Sequence, residues 1–406
     1  MTWLSIWSSA GEEGTVRFET RNQNRRYLPA IEWGPHEVTV GGGDRRPVGI
    51  VVSSKTAAQA KWATRWRPLL LAICGVARSG IVAITVEAQQ KTYREIMSRT
   101  ILQFILLTFA INWAAAGLFY ASGVGYSGLW MVAFGAFYML VPGLVALWID
   151  WRAGQDLRQS LGLKIQPNKW WLVAWLLPPL LAFLALGAAL LLPGIGFDAD
   201  MEGLLVAVEE LLTDQQMEEA RAELQRFPLW LLVPWQLVQA LIAGATINAF
   251  FALGEELGWR GLMLRELASM GFWKSAGIIG VVWGLWHAPV VLQGHNYPEY
   301  PILGVAMMVG FCLLLSPLFS WVTLKCQSVL AAAIMHGTLN ASAGFSILML
   351  DDVVPLVVGI HGLVGFAVLA VANLLLFIVV RPEIGEMEWM TTSPPIPGHQ
   401  GDDASG

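Results

Sequence analysis

A chain of 406 residues could hold two or three soluble domains, but 55% hydrophobic and 14% charged residues do not fit a soluble protein of that size. The net charge of −5 is small and the Lys and Arg are scattered, so the chain has no electrostatic footprint for nucleic acid, which is set aside as a partner. Cys74, Cys312 and Cys326 are odd in number and lack CxxC spacing, which argues against a disulfide framework and against a Cys-based zinc site.

Residues 1–96 are turn-rich, as at Gly41 to Asp44. They hold one apolar run, Leu69 to Ala77, too short to span a bilayer and too far from Met1 for a signal peptide. Met97 is followed by Ser-Arg-Thr and then a long apolar run. It reads as the natural start, with 1–96 expected to be a poorly structured extension from a mis-assigned start codon.

A bilayer core of ~30 Å needs ~20 mostly apolar residues per helix. Eight such runs follow, near 101–120, 129–149, 170–193, 229–253, 273–292, 301–323, 328–350 and 354–380. The expected fold is all-α, a polytopic membrane bundle of about eight transmembrane helices. Residues 97–228 supply the upstream helices and an acidic exported segment, 229–380 the core that carries the chemistry, and 381–406, rich in Pro, Gly and acid, a disordered cytoplasmic tail.

The basic residues orient the bundle, because short cytoplasmic loops are enriched in Lys and Arg. Lys91, Arg94 and Arg99 precede the first run; Arg152, Arg158, Lys164 and Lys169 follow the second; Arg260, Arg265 and Lys274 follow the fourth; Lys325 follows the sixth and Arg381 the eighth. All fall on one side, so both termini are expected in the cytoplasm of a cell whose plasma membrane holds the chain. The opposite side carries the long segment 194–228, where acidic residues outnumber Arg221 and Arg226 and alternate with apolar ones as in an amphipathic surface helix.

Ionisable groups inside a span cost ~2.5 to 3.5 kcal/mol on insertion scales, so each needs a reason to be there. The fourth run ends in GEELGWRG, with Glu255, Glu256 and Arg260; the fifth contains WGLWHAP, with Trp283 and His287; the seventh contains MHGTLN, with His336 and Asn340. Residues four apart share a helix face, so His336 points with Asn340, Trp283 with His287, and Glu256 with Arg260 in the favourable order for an ion pair. Glu255, turned by ~100° from Glu256, faces elsewhere and is left to accept a proton. A carboxylate and an imidazole suit activation of water, and a second His with an amide suits stabilisation of the oxyanion formed at a carbonyl. Asn112, Asn248 and Asn373 are read as interhelical hydrogen-bonding residues, and His295 as a solvated residue of the exported loop.

Glu-Glu-x-x-x-Arg, aromatic-x-x-x-His and His-x-x-x-Asn on successive apolar helices resemble the CAAX prenyl protease and bacteriocin-processing (CPBP) family, also called the Abi family. The resemblance covers about 229–380 and implies a glutamate-dependent intramembrane endopeptidase that needs no metal. It implies that Glu255 activates water with His287, that His336 and Asn340 stabilise the oxyanion, and that Glu256 and Arg260 order the site. Trp283 departs from the Phe usual in that family; it keeps an aromatic ring and adds an N–H donor. The substrate implied is a hydrophobic or lipidated peptide within the bilayer. Two further readings stay open: a zinc-dependent peptidase using Glu255, His287 and His336 as ligands, and a non-catalytic scaffold or immunity protein.

Overall fold

The computed structural model describes residues 80–123, 128–198, 214–224, 229–351, 354–382 and 390, together with two short strands. The chain divides into two units, residues 1–98 and 99–406. In the first, β1 (Thr15–Val16) and β2 (Val38–Thr39) pair antiparallel. Most of the expected 1–96 extension, the segments 199–213 and 225–228 of the acidic loop, and the tail beyond Pro382 apart from Met390, lie outside the described residues.

The second unit is an all-α bundle. Its helices are α1 (Gly80–Ala121, in this unit from Arg99 onward), α2 (Gly128–Arg152), α3 (Leu157–Ser160), α4 (Lys169–Ala189), α5 (Asp214–Leu224), α6 (Leu229–Ala245) and α7 (Ile247–Glu256). There follow α8 (Leu264–Leu267), α9 (Phe272–Trp286), α10 (Ala288–Val291), α11 (Pro301–Cys326), α12 (Val329–Ser342), α13 (Phe345–Met349) and α14 (Leu363–Leu375). Capping side chains set some of the starts. Asn168 accepts the Trp170 N–H at 2.9 Å before α4, and Ser328 accepts the Leu330 N–H at 3.2 Å before α12. Gln327, left-handed at φ 50°, ends α11 and reverses the chain into α12. Pro142, Pro178, Pro179, Pro234 and Pro317 sit inside helices, as bilayer-buried helices tolerate when neighbours satisfy the freed carbonyls. Large apolar side chains such as Leu118, Trp130 and Ile302 point outward, which fits a protein whose solvent is lipid.

Among the described residues, five helices are long and apolar enough to cross a membrane, and six if α6 and the helix that follows it, bent by 48° across Thr246, form one span, so the expected count of eight is not confirmed. The fifth and seventh runs fold instead as helices of 15 and 14 residues, α9 and α12, each continued after a break by a short helix, α10 or α13. At 1.5 Å per residue they cover about 21 to 23 Å. These are the two runs that carry His287 and His336, and broken backbone is tolerated at membrane depth where protein encloses it. The eighth run likewise becomes helical only from Leu363.

Glycines fix how closely the helices of the core approach. A Cβ on Gly254 would lie 2.5 Å from the Met139 carbonyl oxygen, and one on Gly143 2.6 Å from that of Gly254, so α2 and α7 touch backbone to backbone. Gly280 and Gly284 make the same kind of contact with Leu313 and Val309 of α11, and Gly337 of α12 lies against Gly244 and Ala249 at the α6–α7 break. Asn248 donates to the Gly337 carbonyl at 3.3 Å across that crossing.

The α2–α7 crossing yields a direct test. Gly254→Ala is expected to destabilise the bundle by about 1 to 3 kcal/mol through overpacking. Gly187→Ala, where a Cβ meets nothing, should leave stability unchanged or raise it by up to about 1 kcal/mol. Thermal unfolding of both variants in detergent micelles measures the contrast.

Candidate active site

The helix that begins at Ile247 delivers both carboxylates at its end and then widens. Residues Leu257–Met263 form a π-helical segment, all of them buried. A π turn takes more residues than an α turn and is found mostly at functional sites, because it re-aims the side chains that follow. Here it accompanies two parallel contacts four residues long: Glu256 with Arg260, and Glu255 with Trp259.

Glu256 and Arg260 are both fully buried, and Nη1 of Arg260 lies 3.1 Å from each carboxylate oxygen. The guanidinium lies against two rings, 4.5 Å from the centroid of Trp283 and 4.6 Å from that of Phe319, which supplies cation–π attraction where water is excluded. Glu256 Oε1 also accepts Nδ1–H of His336 at 2.7 Å. That bond fixes the orientation of the imidazole and turns its Nε2 toward Glu255, whose Oε1 is 4.0 Å away. The other oxygen of Glu255 is engaged: Oε2 accepts the indole N–H of Trp283 at 2.7 Å and that of Trp259 at 3.4 Å.

The two neighbouring carboxylates therefore have different surroundings. Glu256 has no exposure and is tied to Arg260 and His336, whereas Glu255 keeps 2% and His336 4%. Both groups are buried, and Glu255 Oε1 and His336 Nε2 face each other inside the cluster.

His287 caps the C-terminus of α9. Its Nδ1 lies 2.9 Å from the Trp283 carbonyl, so Nδ1 carries the proton and Nε2 is the nitrogen left for other partners. The ring is 6.0 Å from Trp283 and packs edge-on against Trp286 at 4.6 Å. His295, expected in solvent, instead lies parallel to His287 with centroids 6.4 Å apart, and burial pushes its pKa down to about 4, so it is neutral at neutral pH.

Glu255, Glu256, Arg260, Trp283 and His336 thus form one connected knot, with His287 joined to it through Trp283 and Trp286. Asn340 stands one turn beyond His336 on α12, exposed, and outside the knot itself. Zinc ligands sit ~2.0 to 2.2 Å from the metal. Among the described residues no three His, Cys, Asp or Glu side chains are placed to share one ion, so Glu255, His287 and His336 do not form a fitted zinc set.

Three members of the site were not singled out from sequence. Trp259 carries a usable signal, since it is four residues from Glu255 on the same helix. Phe319 sits on α11 amid a uniformly apolar run and has no local signal. The π segment has none either, because its residues alone do not distinguish it from an ordinary helical turn.

Residues 231–342, from α6 through α12, match the family model described as type II CAAX prenyl endopeptidase, Rce1-like. This stretch, the Rce1-like domain, is similar to that family. The match supports the family resemblance borne by the three motifs, and with the long apolar helices it supports an integral membrane protein of CAAX-protease type. Every residue of the knot lies inside the Rce1-like domain, while α1, α2 and α4 lie outside it. Comparison with curated proteins returns no match.

The unequal surroundings of the two carboxylates can be measured in the Rce1-like domain. Glu256→Gln leaves the Arg260 guanidinium buried without its counter-charge and is expected to cost about 3 to 5 kcal/mol. In Glu255→Gln the amide oxygen can still accept the indole N–H bonds, so the loss should stay within about 1.5 kcal/mol. Equal losses in denaturant unfolding of the two variants would contradict this division.

Proposed function

We propose that the chain is an intramembrane endopeptidase in which Glu255 activates a water molecule for attack on a peptide carbonyl. The observation that carries this reading is the 4.0 Å separation of Glu255 Oε1 and His336 Nε2 within a buried knot of polar side chains. A gap of that size is too wide for a direct hydrogen bond, and a water at ~2.8 Å can bridge both atoms.

The mechanism then needs few parts. Water bound between the two groups gives a proton to Glu255 as its oxygen bonds to the carbonyl carbon. The negative charge that develops on the carbonyl oxygen is met by N–H donors, from the exposed amide of Asn340 and from an imidazole. Glu255 returns the proton to the amide nitrogen as the C–N bond breaks, leaving a carboxylic acid and an amine. His287, held by its Nδ1 bond to Trp283, presents Nε2 for proton exchange with the same water or with the leaving amine.

Charge accounting supports the same assignment. Two carboxylates and one guanidinium leave the knot one negative charge in excess, and an unbalanced buried charge is costly. A single proton held between His336 and Glu255 balances it. With that proton on His336, Glu255 is ionised and free to take the proton of the water.

The substrate class proposed is a hydrophobic or lipidated peptide reaching the site from the bilayer, in keeping with the description of the family model and with a site enclosed by apolar helices. The Lys and Arg distribution supports an orientation with both termini cytoplasmic in the plasma membrane. The reading is metal-free, supported by the finding that no three His, Cys, Asp or Glu side chains among the described residues are placed to share one ion.

In proteoliposomes with a lipidated peptide library, Glu255→Gln is expected to lower the cleavage rate by about 10²- to 10⁴-fold, with the wild type insensitive to a metal chelator. Cleavage by Glu255→Gln at the wild-type rate would end the proposal. Chelator inhibition reversed by added zinc would replace the metal-free form with the zinc-dependent one.

A further inference from the structure

We infer that the active site extends into the two helices upstream of the Rce1-like domain, through a closed circuit of three hydrogen bonds that positions His287. This rests on the peptidase reading above. The circuit joins Asn112 of α1, Tyr138 of α2 and Trp286 of α9. Asn112 Nδ2 donates to the Tyr138 carbonyl at 3.0 Å, the Tyr138 hydroxyl donates to the Trp286 carbonyl at 2.8 Å, and the Trp286 indole N–H donates back to Asn112 Oδ1 at 2.9 Å.

All three residues are buried, at 0%, 3% and 1% exposure. Each gives one hydrogen bond to the next and receives one, so the polar cost of burying them is met inside the ring, and bonds linked in this way polarise one another. Three helices that pack only apolar side chains could slide or rotate by fractions of an ångström. Bonds with fixed direction remove that freedom.

The place where the circuit closes gives it a function. Trp286 is the last residue of α9, and its carbonyl is one of those a helix C-terminus leaves without an intrahelical partner. Tyr138 satisfies it at 2.8 Å, and the Trp113 indole N–H of α1 adds a longer bond at 3.3 Å. The next residue is His287, where the chain turns into α10. The indole of Trp286 packs edge-on against the His287 ring at 4.6 Å and against Trp259 at 5.9 Å, and Trp259 in turn donates to Glu255. The circuit therefore sets the backbone from which His287 departs and supports one of the two indoles that orient the Glu255 carboxylate.

Asn112, Tyr138 and Trp286 touch no reacting atom; they are positioning residues. Tyr138→Phe removes one hydroxyl and keeps the ring, and Asn112→Leu removes the amide at nearly constant volume. Each should lower kcat for peptide cleavage by about 10- to 100-fold, the range expected for a small misplacement of a catalytic group. KM should be unchanged and the unfolding temperature should fall by no more than about 4 °C. The double variant should be no slower than either single one, because a ring opened once is already open. In a His287→Gln background, Tyr138→Phe should have no further effect on kcat.

A purely structural role predicts parallel losses of stability and rate, and the same fold loss whether or not His287 is present; either result overturns the inference, as does wild-type kcat in Tyr138→Phe. If Asn112→Leu does not fold, Tyr138→Phe carries the kinetic test alone. A readout independent of cleavage keeps the test separate from the peptidase reading. In ¹⁵N-histidine spectra the His287 signal, assigned by its loss in His287→Gln, should report one Nδ1-protonated form in the wild type and a mixture in Tyr138→Phe. An unchanged signal overturns the circuit even if cleavage proves independent of Glu255, whereas a changed signal with Glu255-independent cleavage overturns only the peptidase reading.

Discussion

The structure around the site depends on one buried ion pair, Glu256 with Arg260. A guanidinium cannot shed its proton to escape a low-dielectric surrounding, so its burial in a membrane protein requires a fixed counter-charge and polarisable faces to lie against. Glu256 supplies the first, and Trp283 and Phe319 the second. Once Arg260 is placed, the rest follows by exclusion. Glu256 is committed and orients His336; His336 faces Glu255; Trp283, held against the guanidinium, turns its N–H to the remaining carboxylate oxygen. A pair of adjacent acidic residues thereby acquires two distinct surroundings from a single cation.

Much of this was legible in the sequence. The spacing of Glu256 and Arg260 predicts their pairing, the offset of Glu255 predicts a different environment, and the aromatic at 283 predicts an added N–H donor near the site. What could not be read is the pairing across helices. Helical periodicity relates residues to their own helix and says nothing of which imidazole a given carboxylate meets. The hydrogen bond between His336 and Glu256 spans 80 residues of sequence and depends on the close approach of Gly337 to the α6–α7 break.

The breaks within the fifth and seventh runs could not be read for a related reason. Hydropathy averages over a window and sees an apolar run of adequate length at 273–292 and at 328–350. It does not register that such a run can stop and restart at a histidine or a glycine. The broken helices are the ones bearing site residues, so the error falls where function and regular secondary structure make opposing demands. Asn112 illustrates the converse. It was read correctly as a hydrogen-bonding residue between helices, but its partner is at the foot of His287, 174 residues away from it in sequence.

The backbone contact between α2 and α7 has a mechanical consequence. Side chains between two helices act as a cushion, absorbing small displacements by changing rotamer. None intervenes at Gly143 and Gly254, and Gly254 is the residue immediately before Glu255. Helix α2, with 25 residues, is roughly 38 Å long, more than the ~30 Å of hydrocarbon it crosses, and such a helix adjusts its tilt to the lipid around it. A change in the inclination of α2 therefore bears directly on the backbone that carries Glu255, with no side chain between them.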